Sequence, residues 1–228
     1  MPHQPVLDPA DRGVRTFHGR SGRLGGAAHR ALADLYPRYG VDLSTARASD
    51  LFDQDLPIVL ELGSGMGEAT VAMAQSEPDV GILAAEVHTA GVASLLRRVE
   101  AAKLPNVRVV HADGVQVLRQ LVPPDALAGV RIWFPDPWPK ARHHKRRFVR
   151  PDLVGLTASR LAPGGRLHAA TDWADYAEQM LSVLSGDPRL ANEYAGFAPR
   201  PAWRPETRFE RKGLRQGHAV RDLMFRRI

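Results

Sequence analysis

The sequence contains no cysteine among its 228 residues. A chain without thiols cannot form disulfide bonds, thiolate metal sites or cysteine-held iron–sulfur clusters. It also cannot use a cysteine nucleophile, so several classes of enzyme are excluded at the outset.

Long apolar runs are missing as well. No stretch approaches the roughly eighteen apolar residues of a transmembrane helix, and the residues after Met1 lack the charged and apolar regions of a secretory signal. We therefore expect a cytoplasmic protein without a membrane segment. At this length, a hydrophobic content of 44% allows roughly 70% of the unfolded surface to be buried in one core.

Acidic residues are fewer than basic ones. The chain has 25 Asp and Glu residues and 31 Lys and Arg residues, which gives a net charge of +6. Residues 140–150 hold six cations and no acid. Both ends of the chain are also basic, so the middle must be acidic. A basic balance of this kind favours a polyanionic partner.

The composition predicts two parts. Residues 1–56 are rich in glycine and arginine, and we expect a basic arm followed by a short helix over about residues 27–36; a solvated tail is the simpler alternative. The pattern of apolar and polar segments in residues 57–228 predicts a single folded domain.

Apolar strands alternate with helices in this second part. The alternation predicts βαβ units and an α/β fold with a doubly wound, mostly parallel sheet. One helix has Val92, Leu95, Leu96 and Val99 at the spacing of a buried face. Strands are predicted at residues 58–62, 81–87, 107–111, 130–134 and 166–171. Helices are predicted at residues 68–75, 114–121 and 151–161 and after Trp173.

An acidic residue stands at or just after the end of every predicted strand. In a doubly wound sheet these positions gather on one edge, where ligands bind. Any one of these acids could be a helix cap or part of a local ion pair. Five carboxylates on one edge repel one another unless a ligand supplies positive charge or hydrogen-bond donors. The five acids are Glu61, Glu86, Asp113, Asp136 and Asp172.

A glycine loop follows the first strand, with Gly63 and Gly65 in the pattern G-x-G-x-G. Glu68 occupies the place of the third glycine in the dinucleotide fingerprint, so this motif alone is weak. Glu86 lies 21 residues after Gly65, a spacing that suits a ribose diol. Glu61 and Asp113 suit an ammonium group and a sulfonium but not a pyrophosphate. The loop therefore favours S-adenosylmethionine over NAD.

Residues 132–147, IWFPDPWPKARHHKRR, place Asp136 between two prolines. Each proline fixes its own φ and restricts the residue before it, so the carboxylate should be rigidly held. The tail that follows predicts an RNA-contacting arm, although a solvated surface is the simpler reading. Each phosphate contact should lower log K by roughly 0.7 to 0.9 per unit of log salt. The histidines are interpreted as part of this basic surface, and no metal is predicted. The arm comprises Arg142, His143, Lys145, Arg146 and Arg147.

Six motifs in chain order resemble the bacterial tRNA (guanine-N7-)-methyltransferase family, and the likeness covers nearly the whole chain. The resemblance implies a class I methyltransferase sheet of seven strands that ends in a C-terminal antiparallel hairpin. It also implies tRNA as partner, and the chain is expected to act as a monomer or homodimer. The motifs are RTFHGRSGRL, LELGSGMG, EVH, FPDPWPKARHHKRR, ATDW and TRFERKG.

The resemblance assigns roles to individual residues. Those that match the family's methyl-donor contacts are Glu61, Glu86, Asp113 and Asp136, with Gly63 and Gly65 in the loop. Those that match its RNA-substrate contacts are Lys140, Asp172, Thr207, Arg208, Phe209 and Glu210. TRFE is also a capping-box pattern, so its simpler role is to start a helix. Three positions depart from the family pattern, namely Pro139, His144 and Arg221.

The chemistry of guanine N7 agrees with this resemblance. N7 is a lone-pair acceptor that carries no proton, so no strong base is needed. Asp136, the predicted catalytic residue, and Asp172 can hold the base and stabilise the positive charge that reaches it. The predicted target is a guanosine in the variable loop. Two alternatives stay open: methylation of an exocyclic amine in another RNA, and a non-catalytic RNA-binding protein on the same fold.

Overall fold

The computed structural model describes residues 16–17, 24–52 and 55–228. The chain forms two compact units, one ending at Pro123 and one running from Pro124 to Ile228 and including Thr16 and Phe17. Most of the predicted N-terminal arm, including much of its RTFHGRSGRL motif, lies outside the described residues. Within the described part of the chain, no helix is both long and apolar enough to span a membrane.

The first unit has a parallel three-stranded arrangement in the order β3-β2-β1. All of β2 and four of the five residues of β1 are buried, as expected for parallel strands covered on both faces. The elements are α1 (Gly26–Tyr39), β1 (Ile58–Leu62), α2 (Glu68–Ser76), β2 (Gly81–Ala85), α3 (Thr89–Ala102), β3 (Val107–Val110) and α4 (Gly114–Gln116), which continues as a π-helical segment (Val117–Leu121).

The second unit has four strands in the order β4-β5-β7-β6. Strand β5 is parallel to β4, and β7 is antiparallel to both β5 and β6. The seven-stranded mixed sheet with C-terminal antiparallel strands is therefore confirmed. The elements are β4 (Leu127–Trp133), a 3-10 helix (Ala141–Arg146), α5 (Pro151–Arg160), β5 (Leu161–Thr171), α6 (Ala174–Ser185), β6 (Leu190–Asn192), α7 (Arg208–Arg215) and β7 (Arg221–Arg227).

The start of β5 was predicted wrongly. Residues 162–165, which fall between the helix predicted at residues 151–161 and the strand predicted at residues 166–171, lie inside β5, which begins at Leu161. Leu161 already pairs with Leu127, and the register then shifts so that Arg166 pairs with Gly129. Pro163, Gly164 and Gly165 therefore lie at an irregularity within the strand, which glycine permits.

Candidate functional site

The three strands of the first unit end in register. Leu62 pairs with Ala85, and Ala85 pairs with Val110, so the residues that follow them share one edge. Glu61 and Glu86 lie at this edge and are both buried, with 5% and 4% of their surface exposed. The predicted gathering of acids at strand ends is thus present in this unit.

The glycine loop leaves open space at its turn. Gly65 has a φ of +57°, and Gly63 also has a positive φ. In the described part of the chain, no heavy atom beyond the glycine and its two chain neighbours lies within 4 Å of the position that a Cβ on either residue would occupy. Ser64 Oγ, between them, is buried and has no hydrogen-bond partner among the described residues. The loop therefore combines accessible backbone with an unused polar atom.

Glu86 fixes the shape of this loop. Its Oε2 accepts a hydrogen bond from the Gly65 N–H at 2.7 Å. Its Oε1 accepts one from the His88 N–H at 2.7 Å and lies 2.8 Å from His88 Nδ1. A carboxylate offers about four lone-pair positions, so these contacts leave acceptor capacity for a hydroxyl group.

Asp113 caps helix α4. Its Oδ1 accepts a hydrogen bond from the Val115 N–H at 3.0 Å, the local role that any acid at a helix start can have. This cap orients the carboxylate without excluding the predicted contact with a methyl donor. The cap is observed, and the contact with a methyl donor stays a prediction.

Gly91 belongs to this site and was not identified from the sequence. A Cβ on Gly91 would lie 2.5 Å from the Gly65 carbonyl oxygen and 3.0 Å from Glu86 Cγ. Only a glycine at this place in the first turns of α3 allows the helix to approach the loop so closely. A glycine within an otherwise regular helix is a signal that could have revealed it.

Asp136 in the second unit sits in a turn with unusual backbone at both ends. Phe134 has a φ of +54° and Trp138 a φ of +45°, a region that bulky residues rarely adopt. The Phe134 N–H donates to the Ala170 carbonyl at 2.7 Å. We refer to residues 134–138 as the Asp136 turn. The rigid hold on Asp136 that the two prolines predict stays a prediction.

Trp138 anchors the basic arm to this turn. The residue is 3% exposed, and its Nε1 donates to the Thr16 carbonyl at 3.3 Å. The edge of the His143 ring contacts it at a centroid distance of 5.9 Å. The Arg146 guanidinium lies 4.9 Å from the centroid of the Trp138 ring. Two of the predicted RNA-contacting side chains therefore pack on this tryptophan.

The cations of the arm differ in exposure. Lys140, Arg142 and Lys145 are exposed, and His143 and Arg146 are half-buried. Arg147 is only 1% exposed, and its guanidinium binds protein groups. This burial does not fit the predicted RNA contact of Arg147. Among the described residues, no group of three or more potential metal-ligating side chains is found.

Asp172 follows β5 and lies against helix α7. Its Oδ2 is 3.2 Å from His218 Nδ1. A Cβ on Gly213 would lie 2.5 Å from the same oxygen, so the helix and the carboxylate are in close contact. The structure thus brings Asp172 next to the helix that carries the TRFE motif, and their shared contact with RNA stays a prediction.

The TRFE motif forms only half of a capping box. Thr207 accepts a hydrogen bond from the Glu210 N–H at 3.1 Å and caps α7. Arg208 and Phe209 are exposed. Glu210 is 1% exposed, and its carboxylate binds Arg200 and Arg204 instead of returning to the cap. Its burial does not fit direct contact with RNA.

Charged side chains alter the pKa of Glu210. Burial by itself raises the pKa of this carboxyl, but hydrogen bonds from Arg200 and Arg204 outweigh burial and lower it below its ordinary value. Glu210 is therefore ionised at neutral pH. A fixed negative charge inside the protein requires the two arginines beside it.

Arg204 is the centre of a buried polar network. It donates to Glu210 Oε2 at 2.7 Å and to Asp222 Oδ2 at 3.1 Å. Asp222 Oδ1 lies 2.8 Å from His168 Nε2, and His168 Nδ1 accepts from Trp133 Nε1 at 3.1 Å. We call these five residues the Arg204 network. The sequence had singled out Glu210, as part of TRFE, but it predicted none of the hydrogen bonds of this network.

The network fixes the tautomer of His168. An indole N–H can only donate, so His168 Nδ1 must be the acceptor and Nε2–H must donate to Asp222. Burial lowers the pKa of His168, against the opposite effect of Asp222. The imidazole is therefore neutral at neutral pH, and the Arg204 guanidinium carries the positive charge between Glu210 and Asp222.

Comparison with known proteins places this geometry in context. A family model described as "Putative methyltransferase" matches residues 55–223. A tRNA (guanine-N(7)-)-methyltransferase from Nitrosospira multiformis is 51% identical over 99% of this chain and 96% of its own length. A protein of the same name from Streptomyces coelicolor is 49% identical over 100% of this chain and 88% of its own length.

Solved structures agree on the fold. An rRNA methylase from Streptococcus thermophilus has a TM-score of 0.52 at 14% identity and covers 77% of this chain and 89% of its own. A geranyl diphosphate C-methyltransferase from Streptomyces coelicolor, solved with S-adenosyl-L-homocysteine, has a TM-score of 0.50 at 13% identity and covers 78% and 72%. The methyltransferase fold is confirmed. With close relatives spanning nearly the whole chain, this protein belongs to the tRNA (guanine-N(7)-)-methyltransferase family.

Proposed function

We propose that this protein transfers a methyl group from S-adenosylmethionine to N7 of a guanosine in the variable loop of tRNA. The observation that carries the proposal is the presence of carboxylates at the carboxyl ends of strands in each unit. Glu61 and Glu86 occupy this position in the first unit, and Asp136 and Asp172 follow strands β4 and β5 in the second. These are the positions where ligands of doubly wound sheets bind.

The first unit has groups that fit S-adenosylmethionine. The open space at Gly63 and Gly65 admits a ligand close to the backbone, and the unpartnered Ser64 Oγ offers a hydrogen bond. The remaining acceptor position of Glu86 suits a hydroxyl group of the ribose diol. Glu61 and Asp113 supply negative charge for the ammonium group. When bound, S-adenosylmethionine supplies a methyl group on a positively charged sulfur. Asp136 stays a predicted further contact of this donor.

The second unit has groups that fit guanine. Asp136 and Asp172 can accept hydrogen bonds from the N–H groups of the base and stabilise the positive charge that develops on its ring. N7 carries no proton, so neither carboxylate has to act as a base. Their main task is then to align N7 for attack, which can lower the barrier by several kcal/mol.

The exposed cations fit the phosphates of tRNA. In this proposal Lys140, Arg142, Lys145 and Arg208 contact the RNA backbone, with His143, Arg146, Thr207 and Phe209 nearby. An RNA substrate in the translation machinery is consistent with a cytoplasmic protein. Action as a monomer or homodimer, with residues 57–228 as the methyltransferase domain, stays a prediction.

A methyl-transfer assay tests this function. With labelled S-adenosylmethionine and unmodified tRNA, we expect label in the RNA and strand cleavage after borohydride and aniline, which reports N7 methylation. A tRNA with the variable-loop guanosine replaced by adenosine is the matched control and should take up no label. Label on an exocyclic amine would favour that alternative, and no transfer at all would favour a non-catalytic RNA-binding protein.

The close approach of Gly91 to the glycine loop predicts a specific loss of donor binding. Gly91→Ala introduces a Cβ that would lie 2.5 Å from the Gly65 carbonyl oxygen, so the loop or the helix must move. Overpacking of this kind typically costs 1–3 kcal/mol. We expect the Kd for S-adenosylmethionine to rise by about tenfold, as measured by calorimetry.

Gly26→Ala is the matched control for this change. Gly26 is also at the start of a helix, and a Cβ there would lie at an ordinary distance of 3.5 Å from Arg30 Nη1, the only side-chain atom of the described residues within 4 Å of it. Donor affinity should stay at the wild-type value in this variant. Wild-type donor affinity in a folded Gly91→Ala protein would contradict the proposed donor site.

A further inference from the structure

Arg147 differs from the neighbouring cations because its guanidinium is buried against protein groups. Its Nε donates to the Pro137 carbonyl at 2.8 Å. Pro137 is the residue immediately after Asp136, inside the Asp136 turn. A side chain read from the sequence as part of an RNA-contacting surface is therefore bound to the backbone that presents the proposed catalytic carboxylate.

The other nitrogens of this guanidinium bind helix α6. Nη2 donates to Asp175 Oδ2 at 2.5 Å, and Nη1 donates to Gln179 Oε1. Asp175 and Gln179 are four residues apart and share one face of the helix. The guanidinium carbon lies 4.7 Å from the centroid of the Tyr176 ring. Arg147 thus joins the Asp136 turn to one face of α6.

The receiving face of α6 is itself fixed. Tyr176 is fully buried, and its hydroxyl accepts from the Val149 N–H at 3.0 Å. Gln179 Nε2 donates to the Val149 carbonyl at 3.1 Å. The hydrogen bond from Arg147 lowers the pKa of Asp175, so this acceptor is charged at neutral pH. Two of the side chains that contact the guanidinium, Tyr176 and Gln179, are therefore held by Val149, whereas Asp175 is 64% exposed.

This arrangement needs an arginine specifically. A guanidinium is planar and presents several donors in a fixed fork, whereas a lysine ammonium is a compact point charge. Only the fork can reach a backbone carbonyl and two side chains of one helix face together. A phosphate contact, in contrast, needs positive charge and an exposed side chain.

We propose that Arg147 is a positioning residue that acts through Asp136. By fixing the Pro137 carbonyl to helix α6, it holds the Asp136 carboxylate in the place where guanine is bound. This inference rests on the proposed function, in which Asp136 holds the base. A misplacement of about 1 Å in a catalytic group can cost roughly a hundredfold in rate, so loss of this link should affect kcat.

Arg147→Ala is expected to lower kcat per folded enzyme by about 10- to 100-fold. The salt slope of tRNA binding should stay at the wild-type value, because the buried Arg147 side chain is 1% exposed and contacts no phosphate in this proposal. Arg142→Ala, which removes an exposed cation, should instead reduce that slope by about 0.7 to 0.9. Steady-state kinetics and tRNA binding over a range of salt concentrations measure both effects.

A double-mutant cycle with Asp136→Ala separates positioning from a general structural role. If Arg147 acts through Asp136, then Arg147→Ala should lower kcat by less than about twofold once Asp136 is absent. A side chain that only supports the fold would cause the same loss in both backgrounds. Independence of this kind is the expected behaviour of unrelated sites.

Two further variants complete the test. Arg147→Lys keeps the charge but not the fork, and it should lose nearly as much kcat as Arg147→Ala. Arg189→Ala is the matched control, since Arg189 donates to Asp187 at 2.6 Å outside the proposed site. It should lower thermal stability and leave kcat unchanged.

Three results would overturn the positioning role: wild-type kcat in Arg147→Ala, equal losses in the two backgrounds, or full activity in Arg147→Lys with a reduced salt slope in Arg147→Ala. An inactive wild-type protein would instead overturn the proposed function, and this inference with it. The two failures are thus distinguished by the wild-type measurement alone.

Discussion

Asp136→Ala is expected to lower kcat for methyl transfer to tRNA by about a hundredfold or more, the usual effect of removing a preorganised electrostatic group. The carboxylate is held in a turn whose two ends, Phe134 and Trp138, have backbone angles that bulky residues rarely adopt. Such backbone costs of order 1–3 kcal/mol per residue. Strained backbone of this kind persists at functional sites, and here it would serve to hold the Asp136 carboxylate in one orientation. Single-turnover transfer of labelled methyl groups measures the loss.

Asp136→Asn distinguishes charge stabilisation from proton removal. The amide keeps one carbonyl acceptor and a similar shape, so it should retain more activity than alanine if the carboxylate positions and stabilises guanine. If Asp136 were a general base, asparagine would be as inactive as alanine. Asp152→Ala is the matched control, because Asp152 is 62% exposed and pairs with Arg150. An unimpaired Asp136→Ala enzyme would contradict the assignment of this turn.

The strands and helices could be predicted because their signals are local. Val92, Leu95, Leu96 and Val99 repeat at the period of a helix, and all four are fully buried in α3. The acids could be located because a doubly wound sheet gathers its strand ends on one edge. The resemblance assigned one shared role to Asp172 and to the TRFE motif, which are far apart in the chain. The structure places Asp172 against α7, the helix that carries this motif.

The roles of the arginines could not be predicted, since they depend on distant partners. Nothing in KARHHKRR separates Arg147 from Arg142, because the partners of Arg147 lie on α6, with Asp175 28 residues later in the chain. Glu210 fits a capping box in sequence, but two arginines bind its carboxylate more favourably than the helix start does. The left-handed backbone of Phe134 had no sequence signal.

Arg204→Met is expected to destabilise the protein by about 3–5 kcal/mol, the usual effect of removing one partner from a buried ion pair. Arg204 is 1% exposed and binds Glu210 and Asp222, which are equally buried. Methionine fills much of the volume but leaves both carboxylates without this cation. Chemical denaturation at pH 7 measures the change in the free energy of unfolding.

The loss should depend on pH in a defined direction. In the wild-type protein the pKa of Glu210 is lowered, so its contribution to stability is present above the pKa of the unfolded chain and is lost as pH falls through the folded value. Without Arg204, the Glu210 carboxylate keeps its hydrogen bond from Arg200 but loses the one from Arg204, so its protonation in acid removes part of the variant's deficit. The difference between variant and wild type should therefore be largest at neutral pH and shrink as pH falls below about 4.

Two comparisons separate charge from packing in this network. Arg166→Met removes a cation that is 69% exposed and paired with Glu193, and it should cost no more than about 1 kcal/mol. Glu210→Gln added to Arg204→Met should recover part of the lost stability, since a neutral amide replaces a buried charge. If the double variant were no more stable than Arg204→Met, the loss would come from packing around Phe134, whose ring lies 5.6 Å from the Arg204 guanidinium carbon. Recovery would instead show that the arginine is retained to neutralise the carboxylates that join α7 to β7.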